Sequence, residues 1–321
     1  MKVFVAGATG AIGRRLIPVL VKAGHSVVGM ARTLGKVAVI RGAGAEPVIG
    51  DALDDRFVTT AVARAKPDVV VHELTAIPSQ LNFRKFDREF EPTNRLRIKG
   101  TDHLLWAARA AGAHRFVAQS FAGWPYAREG GPVKTEEDPL DPNPPAALRR
   151  SLEAIRHLEA AVLRIEGIEG LVLRYGAFYG PGTSLGHGGS ILEEIGRRRF
   201  PIIGGGTGVW SFIHIDDAAR ATLAAIERGA PGVYNIVDDE PASVSEWLPA
   251  IAAAIGAPPP RRVPTFVGRL VIGEHAVVIM TSIRGASNWK AKRELSWKPV
   301  WTTWRDGFRR GLSEAEPNSV A

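Results

Sequence analysis

The sequence predicts an α/β fold: a doubly wound, Rossmann-like parallel sheet with a smaller C-terminal substrate lobe. Short β-branched runs alternate with amphipathic stretches over most of the chain, a glycine-spaced turn follows the first run, and the alternation breaks after Gly180. The runs are residues 3–6, 26–30, 47–49, 69–71, 116–118, 171–173 and 233–237. Between the first two, Ile12, Leu16, Val19 and Leu20 recur at helical spacing and form one apolar stripe, and Gly24 is placed to end that helix as its C′ residue.

Past Gly180 come a Gly/Pro-rich loop (180–189), a short helix (191–199) and a second glycine cluster at Gly204, Gly205, Gly206 and Gly208. The chain is expected to leave the sheet there, to return with a helix at 216–228 and the strand at 233–237, and to leave again from Ser245. This gives a dinucleotide-binding domain over 1–180 completed by 211–240, and a substrate lobe from 181–210 and 241–321. Trp289 and Trp297 are expected to anchor the core of that lobe.

Composition narrows the functional classes. With no cysteine among 321 residues, disulfide scaffolds, thiolate metal sites and cysteine nucleophiles are excluded. The longest candidate membrane segment, 270–280, falls short of the ~20 apolar residues a bilayer requires and is interrupted by Glu274 and His275. A soluble, cytoplasmic protein without a membrane partner is expected. The 41 Lys and Arg against 33 Asp and Glu give a net charge of +8, but they form no block and do not interleave with aromatics. That pattern suits solvated faces and one phosphate site, and predicts no nucleic-acid partner.

The phosphate site is expected at Gly7-Ala8-Thr9-Gly10-Ala11-Ile12-Gly13, between the first strand and first helix. Glycine permits the tight turn there and lets backbone N–H groups and the positive helix end approach a pyrophosphate. At the end of the second strand, where an NAD-binding chain places a carboxylate for the ribose 2′-hydroxyl, this sequence has Arg32. A guanidinium offers forked, charge-assisted hydrogen bonds to a 2′-phosphate, so NADP(H) is the expected cofactor, with Arg14 and Thr33 as helpers. Asp51, in Gly50-Asp51-Ala52-Leu53, either accepts from the adenine amino group or stabilises a turn.

With these pieces in place, the sequence resembles the extended and atypical short-chain dehydrogenase/reductases, the NAD-dependent epimerase/dehydratase-like proteins. The resemblance rests on the Gly7 to Gly13 turn, Asp51 with Leu53, Pro67-Asp68-Val69-Val70-Val71-His72 and Arg115-Phe116-Val117-Ala118-Gln119-Ser120. It continues through Leu173-Arg174-Tyr175-Gly176-Ala177-Phe178-Tyr179-Gly180, Phe212-Ile213-His214-Ile215-Asp216-Asp217 and residues 288–295. It implies a cofactor held by Gly7, Thr9, Gly10, Ala11, Ile12, Gly13, Arg32, Asp51, Ala52 and Leu53, with Leu74 in the loop alongside it and Tyr175, Gly176 and Phe178 at the nicotinamide end. It also implies that Asp216 and Asp217 start a helix rather than bind metal, and that a homodimer would form through helices 95–111 and 148–166.

One element of the family pattern is missing. Relatives that transfer hydride use a Ser or Thr, a Tyr, and a Lys four residues after the Tyr, because the oxyanion formed from a carbonyl needs a proton and the ammonium lowers the phenol pKa. Ser120 matches the serine. None of Tyr126, Tyr175, Tyr179 and Tyr234 is followed by such a lysine; aligning Glu159 with the family's glutamate puts Ser151 and Ile155 in the Tyr and Lys places. Arg97, three residues before Gly100, replaces an asparagine many relatives carry, and Asn94 lies one turn earlier.

The expected function is therefore an NADP(H)-dependent oxidoreductase of a small organic carbonyl, alcohol or sugar-like substrate. Its catalytic residues would be Ser120 and a non-standard donor, Tyr126, with His157 or water behind it. The alternatives are a catalytically silent NADP(H)-binding sensor, or a redox-neutral isomerase, dehydratase or cyclase in which a carboxylate such as Glu73 does the acid/base work. His187, in the loop 184–189, is expected at the surface or over the substrate.

Overall fold

The computed structural model describes residues 1–78 and 82–314; the last part of the expected lobe, 315–321, lies outside the described residues. Seven strands form the central sheet: β1 (Lys2–Ala6), β2 (Ser26–Ala31), β3 (Glu46–Ile49), β4 (Val69–His72), β5 (Arg115–Phe121), β6 (Glu169–Tyr175) and β7 (Gly232–Ile236). They are all parallel and ordered β3-β2-β1-β4-β5-β6-β7. The order reverses at β1, whose two neighbours are β2 and β4, and this opens a crevice at the carboxyl ends of those strands.

Helices α1 (Ala11–Lys22) and α2 (Val37–Gly42) cover one face, while α3 (Asp55–Ala65), α5 (Thr101–Ala110) and α6 (Ala146–Arg164) cover the other, with α4 (Phe86–Arg95) packed on α6. Burial on both faces is why the strands read as unbroken apolar runs, Val3, Phe4, Val5 and Ala6 all being fully buried. Of the predicted α1 stripe, Ile12, Leu16 and Leu20 are buried while Val19 is only half-buried and Ile17 faces the core in its stead; Gly24 takes φ +85° just after the helix. The helix expected from residue 95 is instead the end of α4, a π-helical turn at Leu96–Gly100, and α5.

After the short helix α7 (Ser190–Gly196), the strand Phe212–His214 pairs with Ala177–Tyr179 and α8 (Ile215–Glu227) returns to the α1 side of the sheet. Helices α9 (Val244–Ala254), α10 (Thr265–Val271), α11 (Glu274–Thr281), α12 (Trp289–Glu294) and α13 (Trp304–Arg310) follow. The lobe core gathers Phe212, Trp247, Trp304 and Phe308, with Phe212 edge-on to Trp247 at 5.3 Å. The assignment of everything beyond 240 to the lobe needs correction, because Ala291, Leu295 and Trp297 bury against the main sheet. Trp289 anchors no core: it is 63% exposed, with the Arg293 guanidinium 4.0 Å over its ring. Among the described residues no helix is long and apolar enough to cross a membrane.

Candidate active site

The glycine turn occupies the switch point. Gly7 adopts φ +98°, and a Cβ there would lie 2.5 Å from the Glu73 carbonyl oxygen. At Gly13 a Cβ would lie 2.3 Å from the Gly7 carbonyl oxygen, so the first turn of α1 is pressed onto the loop. Gly10 is the N-cap, with no side chain closing the helix end and no acidic residue in the first turn. The open N–H groups and positive dipole end thus face the crevice, the arrangement a dinucleotide pyrophosphate needs. Ala11 is exposed beside it, Thr9 gives its carbonyl to Arg14 Nε at 3.0 Å, and Ile12 offers only backbone, its side chain being buried in the core.

At the adenosine end, Arg32 is exposed just past β2 and makes no hydrogen bond or ion pair among the described residues. Asp51 is also exposed, but one carboxylate oxygen already accepts the Leu53 N–H at 3.0 Å, the turn role that competed with adenine binding. Ala52 is buried and its carbonyl meets His103 Nδ1 at 3.0 Å.

At the other end of the crevice the polar groups turn inward. Glu73, the candidate acid/base carboxylate, is 4% exposed; burial pushes its carboxyl up to about 8, against the opposing pull of the Tyr175 hydroxyl, which donates to Oε1 at 3.1 Å. The Tyr175 hydroxyl also lies 2.7 Å from Thr222 of α8, so it points into the α1/α8 layer rather than at a nicotinamide. Gly176 passes against the Ser211 and Phe212 backbone, and Phe178 is half-buried with its ring 5.4 Å from that of Tyr175. Leu74, half-buried, donates its N–H to His72 Nδ1 at 3.2 Å.

Ser120 and Tyr126 do meet, but in one buried network. Ser120 donates to Glu159 Oε1 at 2.6 Å, and Arg174 donates to both oxygens of the same carboxylate, at 2.8 and 2.6 Å. A further Arg174 nitrogen donates to the Tyr126 hydroxyl at 3.0 Å, and Tyr126 gives its own proton to Asn235 Oδ1 at 2.6 Å. Tyr126 is fully buried, and that burial pushes its phenol up to about 12. The expectation of a loop tyrosine facing substrate is therefore corrected: its hydroxyl is spent inside the protein. Ser120 is likewise turned toward Glu159. The backup donor His157 sits on the surface, 2.7 Å from Asp102. Ser151 accepts from Asn94 at 3.1 Å, and Ile155 is buried.

Residues 3–237 match the NAD dependent epimerase/dehydratase family. The chain belongs to that family. Within it, a 3-diazoavenalumate denitrifying reductase from a Streptomyces species is 42% identical over 315 residues, spanning 97% of this chain and 100% of the relative. A 2-alkyl-3-oxoalkanoate reductase of Stenotrophomonas maltophilia is 28% identical over 273 residues, 80% of this chain and 77% of that protein. Among solved structures, the UDP-glucose 4-epimerase of Thermotoga maritima superposes with a TM-score of 0.75 at 23% identity over 97% of both chains, which establishes the shared fold.

Two members of the buried network, Glu159 and Asn235, were not among the predicted site residues. Glu159 served only to align a helix, yet it is the hub of the buried network, and Asn235 carried no signal at all. His214 and Asp216 form an N-terminal cap on α8, the ring accepting from the Asp216 N–H at 3.2 Å. Asp217 holds the N–H groups of Val300 and Trp301 at 2.8 and 2.9 Å, fastening the C-terminal segment to α8. His187 is exposed in the lobe, its N–H held by the Leu312 carbonyl at 2.9 Å.

Proposed function

We propose that this chain is an NADPH-dependent reductase that delivers hydride to the diazo-bearing carbon of an organic acid and so releases nitrogen. The observation that carries this reading is the commitment of the Ser120 and Tyr126 hydroxyls to Glu159 and Asn235, in a chain without the Tyr-x-x-x-Lys pair. Reduction of a carbonyl, the chemistry first expected, builds an alkoxide that must be protonated. Hydride addition at a diazonium carbon does not. The C–N bond breaks as the C–H bond forms, dinitrogen leaves with the electrons of the old bond, and the lost positive charge reappears on the oxidised nicotinamide. A site for this step needs only to bind, orient and exclude water; it requires no proton donor. The 42% identity to the denitrifying reductase, over the full length of that relative, supports the same substrate class.

The cofactor preference is ours as well. The bound dihydronicotinamide would supply the hydride; Gly7, Gly10 and Gly13 would admit its pyrophosphate, and the unpaired Arg32, helped by Arg14 in the first turn of α1, would favour the form with a 2′-phosphate.

Turnover of 4-diazobenzoate with NADPH, followed by dihydronicotinamide absorbance and by benzoate formation against an enzyme-free control, tests this. With 4-deuterated NADPH of the matching face, deuterium should appear at the vacated ring carbon. A rate equal to the enzyme-free control would sink the reading. Tight NADPH binding without turnover of any substrate would favour the sensor, and product formed with no net change in NADPH would favour the redox-neutral enzyme.

A further inference from the structure

Arg97 lies in the π-helical turn that joins α4 to α5. Such a turn re-aims a side chain and is found mostly at functional positions. Here it is tied to the active end of the sheet. His72, the last residue of β4, accepts the Leu74 N–H at Nδ1, which puts the ring proton on Nε2, 3.0 Å from Thr101 Oγ1. Thr101 in turn donates to the Arg97 carbonyl at 2.6 Å.

Among the described residues the guanidinium forms no ion pair of its own. Its Nη1 is shielded from solvent and finds no hydrogen-bond partner among the described residues. Glu159 attracts it but already receives three bonds from Ser120 and Arg174. Both nitrogens of His72 are engaged, and burial holds that ring down to about 4, hence neutral at physiological pH. Arg97 and Arg174 therefore share Glu159; the other carboxylate that acts on Arg174, Glu136, is not among the groups acting on Arg97. Burial brings Arg97 down to about 10, which leaves it charged at neutral pH. The residue is half-buried with Nη1 shielded, and a charged donor shielded from water without a partner is costly and is best relieved by an anion.

The preceding helix α4 carries two aromatic rings, Phe86 buried and Phe90 half-buried. Phe86 and Phe90 stack at 4.2 Å one turn apart, and Asn94 follows one turn later, its Oδ1 also buried and unpaired.

We propose that Arg97 is the anchor for the carboxylate of an aromatic acid substrate at the nicotinamide end of the crevice. The proposal rests on the reductase reading only for the position of the substrate. A carboxylate accepting from Nη1 would satisfy the donor and cancel the excess charge, whereas a neutral carbonyl would do only the first. Arginine suits the task because its fork matches a carboxylate in two-point geometry.

The test is calorimetric titration of the NADP⁺-loaded protein with trans-cinnamate and with cinnamamide, for the wild type, Arg97→Lys and Arg97→Gln. The wild type is expected to bind cinnamate about tenfold or more tighter than the amide, since a hydrogen bond to a charged group contributes about 1.5–3 kcal/mol. Arg97→Gln should lose that margin while its affinities for cinnamamide and NADP⁺ stay unchanged, and Arg97→Lys should keep part of it. Equal binding of acid and amide by the wild type, no saturable cinnamate uptake, or undiminished cinnamate binding by Arg97→Gln would each overturn the proposal. So would a parallel loss of NADP⁺ affinity, which would mark Arg97 as merely structural. Because no turnover is needed, Arg97-dependent binding of cinnamate in a protein that leaves diazo acids untouched would sink the reductase reading and spare this one.

Discussion

Arg32 stands exposed at the end of β2 with its guanidinium unclaimed, whereas Tyr126 is closed in with its proton already donated. The two make opposite predictions. Arg32→Ala should weaken NADPH binding about 10–100-fold, the equivalent of one or two charge-assisted hydrogen bonds at about 1.5–3 kcal/mol, and leave NADH binding nearly unchanged. Fluorescence titration with both nucleotides measures this; equal losses for both would show that the guanidinium does not read the 2′-phosphate. Tyr126→Phe should keep turnover within about threefold yet lower stability by about 1–3 kcal/mol, because Asn235 loses its donor in the interior. Denaturant midpoints and kcat, measured on the same preparation, separate the two effects. A collapse of kcat with unchanged stability would restore Tyr126 as the acid.

The strand–turn–helix unit from β1 to α1 works because loop and helix touch without side chains between them. Gly13→Ala would insert a methyl 2.3 Å from the Gly7 carbonyl oxygen, a distance that backbone must open to relieve. Displacing the first turn of α1 moves the N–H groups that would meet the pyrophosphate. We expect at least a tenfold loss of affinity for both NADPH and NADH, in contrast to the selective loss at Arg32. A variant with native affinity for both would show that the turn does not hold the phosphates. At the scale of this unit, sequence and structure agree, since a local glycine spacing and a four-residue periodicity contain everything needed. The α4–α5 connection is different: nothing in residues 95–101 signals a π turn, because the extra residue is accommodated by tertiary bonds from His72 and Thr101.

For the molecule as a whole, buried titratable groups at the carboxyl edge of the sheet set how stability responds to pH. Glu73 is held at about 8 by burial, so its carboxyl keeps a proton that the unfolded chain loses in the usual carboxylate range near ~4.3. Its contribution is complete below that range and is lost as pH rises to about 8. His72, held at about 4, acts from the other side: the unfolded ring gains a proton below ~6.5, and stability falls as pH drops from there toward about 4. Glu73→Gln should therefore remove the alkaline decline. Urea midpoints of variant and wild type compared from about pH 5 to about pH 8 should drift apart in the variant's favour. A constant difference across that range would mean that Glu73 is ionised in the folded protein.

The sequence by itself determined the seven strands, the two-faced helical covering, the glycine turn between β1 and α1 and the position of Arg32 just past β2, since each is written in short-range spacing along the chain. Only the tertiary structure decided the fate of the catalytic candidates. Tyr126 and Asn235 are 109 residues apart, Ser120 and Glu159 are 39 apart, and no local pattern reveals that their side chains close on one another. Partnership between distant polar groups depends on which strand ends come together and on how little water reaches them. The same juxtaposition leaves Arg97 Nη1 shielded and without a hydrogen-bond partner among the described residues.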